Sequence, residues 1–431
     1  MIKMPSLRTP ILFAALAFVA AGQDTQVTLE ARKGSLLAVG FQLSTQEGLN
    51  AEWATKHFGE VVRADLGQSR VFREAAVPSA PMLKADGGNQ PPTAPACDLL
   101  LKVTLDKTLT GSYSALAETS DPRAGKAIFT KSYSGPEVVL RRMAHRIVDD
   151  LVARITGIRG VADSRILFAK GVGSGVKELY QVDRDGHSPR PLTRMGSLTI
   201  SPSVSPDGKL AFLTYKGGPP EIWGQQKPDG PFVRLYPIKP TQGGTLSTPV
   251  WSPDGKRLAF VEGDRRGNTN IKILDLHSHR VRQLTDKSGI NTEPSWNPSG
   301  TQIAFTSDRA GSPDVYLMEE DGSNVRKLTT EGKYNASPAW SPDGSMIAYV
   351  SRFDSGFDLF VFKLMEGKAY QLTRGPGSSE SPAWSPDGRF LVYTNTASGS
   401  SRLFTIDLSG NAPQQLSDLS PAQSPEWTRA R

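Results

Sequence analysis

Trp251-Ser252-Pro253-Asp254-Gly255 decides how this chain is read, because the phrase comes back. It stands intact again at Trp340–Gly344 and Trp384–Gly388. Val204–Gly208 lacks the Trp, residues 296–300 read Trp-Asn-Pro-Ser-Gly, and Ser424-Pro425-Glu426-Trp427 is a last fragment near Arg431. With Val204 counted at the Trp position, the copies are 47, 45, 44, 44 and 43 residues apart. A period of about 40–45 residues marks an array of similar units that bury their apolar faces on one another.

Each unit contains the same elements. The xPxWS stretch reads as a strand, a. The turn after it has Pro for a fixed φ, Asp for a side-chain bond to backbone and Gly for positive φ, which together close a hairpin. Strand b follows at 166–168, 210–212, 258–260, 303–305, 347–349 and 391–393. Strand c follows at 178–182, 221–224, 270–274, 314–318, 358–362 and 402–406. A short strand d centres on Leu192, Leu235, Leu284, Leu328, Leu372 and Leu416, four of them in Leu-Thr pairs. Four strands repeated six times predict an all-β six-bladed propeller. The array starts with b, c and d and ends with an unpartnered a, so the last strand should join the first three in one sheet and shut the ring. A WD-type propeller would repeat Gly-His and Trp-Asp signatures from unit to unit, and they do not recur here, while an open solenoid would not leave matching strands at its two ends.

Outward from the array, residues 23–160 read as a small α/β domain and 161–431 as the propeller. Strands are expected at 36–41, 71–73, 98–105, 112–118 and 126–133, with loops at 74–96 and 119–125. Residues 47–66 carry apolar positions at helical spacing. A second helix has Ser134 as a cap and Pro136 and Glu137 in its first turn. Val139, Met143, Ile147, Leu151 and Ile155 form its face, and Gly157 is its stop. His145 on that helix is a lone imidazole and reads as a packing or hydrogen-bonding residue.

Residues 1–22 read as a cleavable secretory signal: Lys3 and Arg8, then an apolar run at 11–21, then small residues. The expected product is exported and soluble, and loss of Lys3 and Arg8 lowers its formal charge from +7 to +5. The remaining Lys and Arg are scattered, which speaks against nucleic-acid binding. Cys97 is the single cysteine, so no intramolecular disulfide forms. No Gly-x-Ser-x-Gly elbow occurs. His277 and His279 in a turn lack further ligands, and the turn Asp residues lack Ca²⁺-loop spacing. No catalytic residue, metal or cofactor is expected, which leaves binding. The a–b turns are uniform, whereas the d–a loops at 242–249, 290–294, 333–338 and 375–382 vary. Specificity is therefore expected on the rim formed by the d–a and b–c loops.

The chain as a whole resembles the TolB family of periplasmic proteins of the Tol–Pal system. The resemblance rests on the joint Arg142-Met143-Ala144-His145-Arg146-Ile147-Val148-Asp149, then Ile155-Thr156-Gly157 and Arg165. Ala64-Asp65-Leu66 with Ser69 and Phe72 adds to it, as do Asn291-Thr292-Glu293-Pro294-Ser295-Trp296 and 304–308. It implies a non-enzymatic, monomeric envelope protein whose propeller face binds the lipoprotein Pal and whose mature N-terminus, residues 23–34, engages TolA. Such a protein supports outer-membrane integrity and constriction at division. Asn291, Thr292 and Glu293 stand in the matching motif and are expected on the Pal-facing rim, with Thr248 in the corresponding place one blade earlier. The alternative reading is a periplasmic propeller enzyme or glycan-binding module, which should converge His, Glu or Arg side chains on the ring axis.

Overall fold

The computed structural model describes residues 36–77, 97–237, 245–286, 289–352, 356–416 and 418–429. The expected signal, the segment 23–34 and most of the loop 74–96 lie outside them. The chain divides into two compact units, Met1–Asp163 and Ser164–Arg431.

In the first unit, β1 (Leu37–Thr45), β2 (Phe72–Ala75), β3 (Leu99–Lys107), β4 (Tyr113–Asp121) and β5 (Lys126–Gly135) form one sheet in the order β2-β1-β3-β4-β5. β1 runs parallel to β2 and β3, and β3, β4 and β5 are antiparallel. Alternation in β3 puts Leu99, Leu101, Val103 and Leu105 on one fully buried face. The 47–66 helix is α1 (Ala51–Ala54), a π-helical turn at Thr55–Gly59 and α2 (Glu60–Gln68). It adds Phe58, Val62 and Leu66 to the core, and α3 (Leu140–Thr156) adds Met143, Ile147 and Leu151. Gly157 ends α3 at φ 75° with its N–H on the Ala153 carbonyl. Ser134 is not a cap. β5 continues through it, opposite Ser114, and α3 is entered through Pro136 and a 3₁₀ turn at Glu137–Val139.

The second unit is six four-stranded antiparallel sheets. Strand a lies at Thr199–Val204, Thr245–Trp251, Asn291–Trp296, Tyr334–Trp340 and Ser378–Trp384 in blades 2 to 6. Blade 1 takes strand a from Ala422–Arg429 and strands b, c and d from Ser164–Gly173, Val176–Asp183 and Arg190–Pro191. The ring therefore closes as the unpartnered strands require. Glu426 pairs with Leu167 and Trp427 with Ile166, and the Trp427 indole N–H donates to Ser164 Oγ at 2.8 Å. Successive a strands pack on one another around the axis, the last also on the first.

The repeated phrase is scaffold. Trp251 is buried among Ala211, Leu213 and Ile222 of the blade before it, Trp296 among Val261, Ile271 and Ile273, and Trp384 among Val350, Leu359 and Val361. In the turn, the Gly255 N–H donates to the Ser252 carbonyl with Gly255 at φ 65°. The Ser252 hydroxyl donates to Asp254 and accepts the Arg257 N–H. Ser341 and Ser385 repeat these contacts, and Asn297 accepts the corresponding N–H in its blade.

Most d strands end one residue earlier than expected, just before the Leu, because the Leu-Thr pair turns in to close strand c. The Thr193, Thr285, Thr329 and Thr373 hydroxyls accept the N–H groups of Leu179, Ile271, Val315 and Leu359 at 2.8–3.1 Å. Thr193, Thr329 and Thr373 also bond the carboxylates of Glu178, Asp314 and Asp358. Four buried polar positions are thus satisfied by one repeated dipeptide.

Candidate partner-binding rim

The rim is built on the proline of each xPxWS copy. A residue before proline is pushed out of the right-handed helical region. Here the six such residues take the left-handed one: Ser201 (φ 53°), Thr248 (50°), Glu293 (54°), Ser337 (51°), Ser381 (54°) and Ser424 (52°). The register with strand b slips at each of these places in blades 3 to 6 and in blade 1, for example between Ser247 and Val250 and between Thr292 and Ser295. A bulge of this kind turns the strand and re-aims the side chains beside it. Strand a also begins before the proline, so 245–248, 291–293, 334–337 and 378–381, expected as loop, are strand. Proline cannot donate to the ladder, and the bulge lets pairing resume on both sides of it. For Thr248, which is β-branched, the left-handed conformation costs about 1–3 kcal/mol and marks a place where backbone strain is stored.

Around this constant frame the four expected contact residues differ in what remains available to a partner. Asn291 is fully buried. Its amide donates to the Thr269 carbonyl, and its oxygen accepts from Ser307 and from the Arg309 guanidinium, both at 2.9 Å. That guanidinium stacks on Phe305 and Tyr316. Asn291 therefore holds the rim from beneath and presents nothing to a partner. Glu293 is half-buried, and its carboxylate accepts from Thr306 Oγ1, Ser337 N–H and Ser337 Oγ, each at 2.8 Å. It ties its own bulge to the equivalent residue of the next blade. Thr248 and Thr292 are half-buried, and among the described residues their hydroxyls have no protein partner.

Four further residues on this rim were not singled out by the repeat. Ile290 and Tyr334 are exposed, and Phe357 meets the Tyr334 ring edge-on at 5.3 Å. Glu380, two residues before its proline, has its carboxyl pushed up by burial and by the negative charge of Glu293. Tyr334 is likewise pushed up by burial, then by Glu293 and Glu380. The rim of blades 4 to 6 thus combines apolar and aromatic surface with two carboxylates, a composition suited to a partner that offers apolar anchors and basic or hydroxyl groups.

Deeper on the axis, the residue after the proline links blades. Ser203 Oγ accepts the Trp251 N–H and Ser295 Oγ the Trp340 N–H, both at 3.1 Å. Glu426 holds the same position and accepts the N–H of Val204, the residue in the Trp place of blade 2. Burial pushes its carboxyl up to about 7.

In the first unit, the joint that carries the family resemblance is a carboxylate anchor. Asp149 is buried and takes the N–H groups of Ala162 and Asp163 at 2.7 and 2.9 Å. Burial is the main cause that raises its carboxyl to about 6. Asp163 receives the guanidinium groups of Arg142 and Arg146. His145 is buried with Nδ1 at 2.6 Å from Asp65 Oδ2, as a packing histidine should be. Cys97 is buried and its thiol is raised by that burial. Among the described residues no group of three or more His, Cys, Asp or Glu is arranged to hold a metal, and no helix is long and apolar enough to cross a membrane.

The sequence model of the family described as the TolB beta propeller domain matches residues 152–431. The Tol-Pal system protein TolB of Bordetella parapertussis is 32% identical over 299 residues, which cover 69% of this chain and 67% of that protein. A TolB homolog of Chlorobium luteolum is 35% identical over 183 residues, so the chain spans 40% of that relative's length. The crystal structure of TolB from Acinetobacter baumannii superposes with a TM-score of 0.76 at 25% identity, covering 91% of this chain and 97% of that one.

Proposed function

The chain belongs to the TolB family of β-propeller proteins, and we propose that it acts without catalysis as the propeller component of a Tol–Pal system, binding the lipoprotein Pal in the periplasm. The observation that carries this reading is the bulged rim. Six proline-fixed strands hold it at one level, and its side chains change from blade to blade where Thr248, Thr292 and Glu293 fall. Thr292 contacts the partner directly through its unspent hydroxyl. Glu293 acts mainly by fixing the Ser337 bulge, and Tyr334 and Ile290 supply the apolar part of the contact. Engagement of TolA by residues 23–34 and a role in constriction at division belong to the same proposal.

The test is calorimetric titration of the mature protein with the soluble domain of Pal from the same organism. Saturable one-to-one binding is expected, and Thr292→Lys should weaken it at least about tenfold, roughly 1.4 kcal/mol, with an unchanged melting temperature. Absence of binding by the folded wild-type protein would overturn the proposal, as would equal affinity of Thr292→Lys, Ile290→Asp and Tyr334→Ala.

A further inference from the structure

The first unit contains a cleft that the propeller reading does not use. It measures about 480 Å³ and lies between β5 and α3, lined by Lys131, Ser132, Tyr133 and Ser134 on one wall and by Met143, Arg146, Asp150 and Arg159 around them. Its size is in the range of ligand clefts, about 300–1,000 Å³.

Two features define what fits it. The first wall is four consecutive residues of an edge strand: β5 pairs only with β4, so among the described residues its other edge is without a strand partner. Such an edge is a ready template for an added strand. A lysine on an edge strand often serves to blunt it, but the Lys131 ammonium is turned onto Asp150 at 2.6 Å and does not cover this one. The second feature is charge. Three cations line the cleft against one carboxylate, and that carboxylate is already occupied by Lys131 and by the Tyr133 hydroxyl at 2.7 Å. Arg146 donates through Nε to Asp163. Arg159 is exposed, and among the described residues its guanidinium makes no hydrogen bond or ion pair. A guanidinium left over beside an open strand edge is suited to a carboxylate brought by an extended chain.

We propose that this cleft docks an acidic, extended polypeptide segment of a partner protein, which adds to β5 as a sixth strand and sets a carboxylate against Arg159 beside Arg146. A small anion would use the cations and leave the strand edge idle, so the edge argues for a polypeptide. The site lies wholly within the first unit and stands independently of the Pal-binding rim.

A fluorescein-labelled short peptide alternating Glu with Val is titrated against the mature full-length protein and followed by anisotropy at low salt. Saturable binding is expected. It should weaken at least about tenfold in Arg159→Glu, less in Arg159→Gln, and at least about tenfold when Gln replaces Glu in the peptide, the range of one charge-assisted contact. Hydrogen exchange should show new protection in β5 on peptide addition. Lack of saturable binding would overturn the proposal, as would affinity indifferent to both the Arg159 variants and the Gln peptide, or protection appearing away from β5. Melting temperatures of the two variants within a degree or two of wild type establish that folding is not what changed. Pal affinity should be the same in both variants, which separates this site from the rim.

Discussion

Deleting residues 420–431 removes under a twentieth of the chain and should cost far more stability than that length suggests, because those residues are strand a of blade 1. The magnitude follows from what the strand covers. Trp427 is 5% exposed, its indole lies 6.3 Å from Phe390, and its N–H is spent on Ser164. Emptying a buried Trp site costs about 3–5 kcal/mol. The deletion also exposes the backbone edge of Ser164–Gly173 and part of the apolar surface around Ile166 and Phe168, now fully buried. The total is comparable to the whole stability of a typical domain, about 5–15 kcal/mol.

Trp427→Ala is the milder test of the same contact. At about 2–4 °C per kcal/mol for a domain near this size, the propeller transition should fall by about 10 °C. The full deletion should lose a cooperative propeller transition altogether. Scanning calorimetry reads both. A deletion variant melting within about 2 °C of the parent would refute the closure argument, since a ring cannot lose one of its joints unnoticed.

Other expectations address single contacts. Thr329→Val keeps shape but strands the Val315 N–H and one bond of Asp314, and should cost about 1–3 kcal/mol in denaturant unfolding, against little for Thr329→Ser. Glu293→Ala leaves the Thr306 and Ser337 hydroxyls without their acceptor and the Ser337 N–H with Thr306 Oγ1 alone; it should lower both melting temperature and Pal affinity, whereas Thr292→Lys lowers affinity alone. Glu426 is raised from 4.5 to about 7, so the folded state binds its proton more tightly than the unfolded chain. Its ionisation therefore destabilises progressively as pH rises from about 4.5 to 7, by at most about 3.5 kcal/mol at about 1.4 kcal/mol per pH unit. Glu426→Gln should stabilise the protein at pH 8 and have little effect at pH 4.5. An equal gain at both pH values would refute the assignment. Asp149, raised to about 6, acts in the same direction. Asp254 and Asp343, lowered by their turn hydrogen bonds, act in the opposite one and lose their contribution as acid protonates them below their ordinary range.

What could be read in advance was whatever repeats in residue type. The Trp, the Ser-Pro-Asp-Gly turn and the leftover terminal strand are local patterns with one physical meaning each, and they were enough for blade count and closure. The bulge was equally periodic but not readable, since Ser, Thr and Glu before a proline ordinarily signal an extended residue, and the left-handed alternative is stabilised only by the neighbouring strand. Asn291 shows the same limit from the other side. Its place in the motif suggested contact, yet its amide is consumed by Thr269, Ser307 and Arg309, and those partners are set by the fold. Tyr334 and Ile290 carry no motif at all, so their role is visible only as exposure beside the rim.

One set of blade-to-blade bonds follows a rule that the varying residue types conceal. Ser203 reaches Trp251, Ser295 reaches Trp340, Glu293 reaches Ser337 and Glu426 reaches Val204, in every case from one blade to the next in the same sense around the ring. Blades 3, 5 and 6 have Val250, Ala339 and Ala383 in the acceptor position after the proline and cannot make that bond. This set of links joins blade 1 to blade 2, blade 2 to blade 3 and, doubly, blade 4 to blade 5, whereas blade 3 meets blade 4 through Thr269 with Asn291 and Arg257 with Glu320, and blade 6 meets blade 5 through the Trp384 indole N–H on the Ala339 carbonyl. The junction of blades 4 and 5 carries Thr292, Glu293 and Tyr334. A partner that presses on Thr292 loads a junction held by two sets of hydrogen bonds. The left-handed conformation of Glu293 is held in place by the N–H and hydroxyl of Ser337 in the next blade.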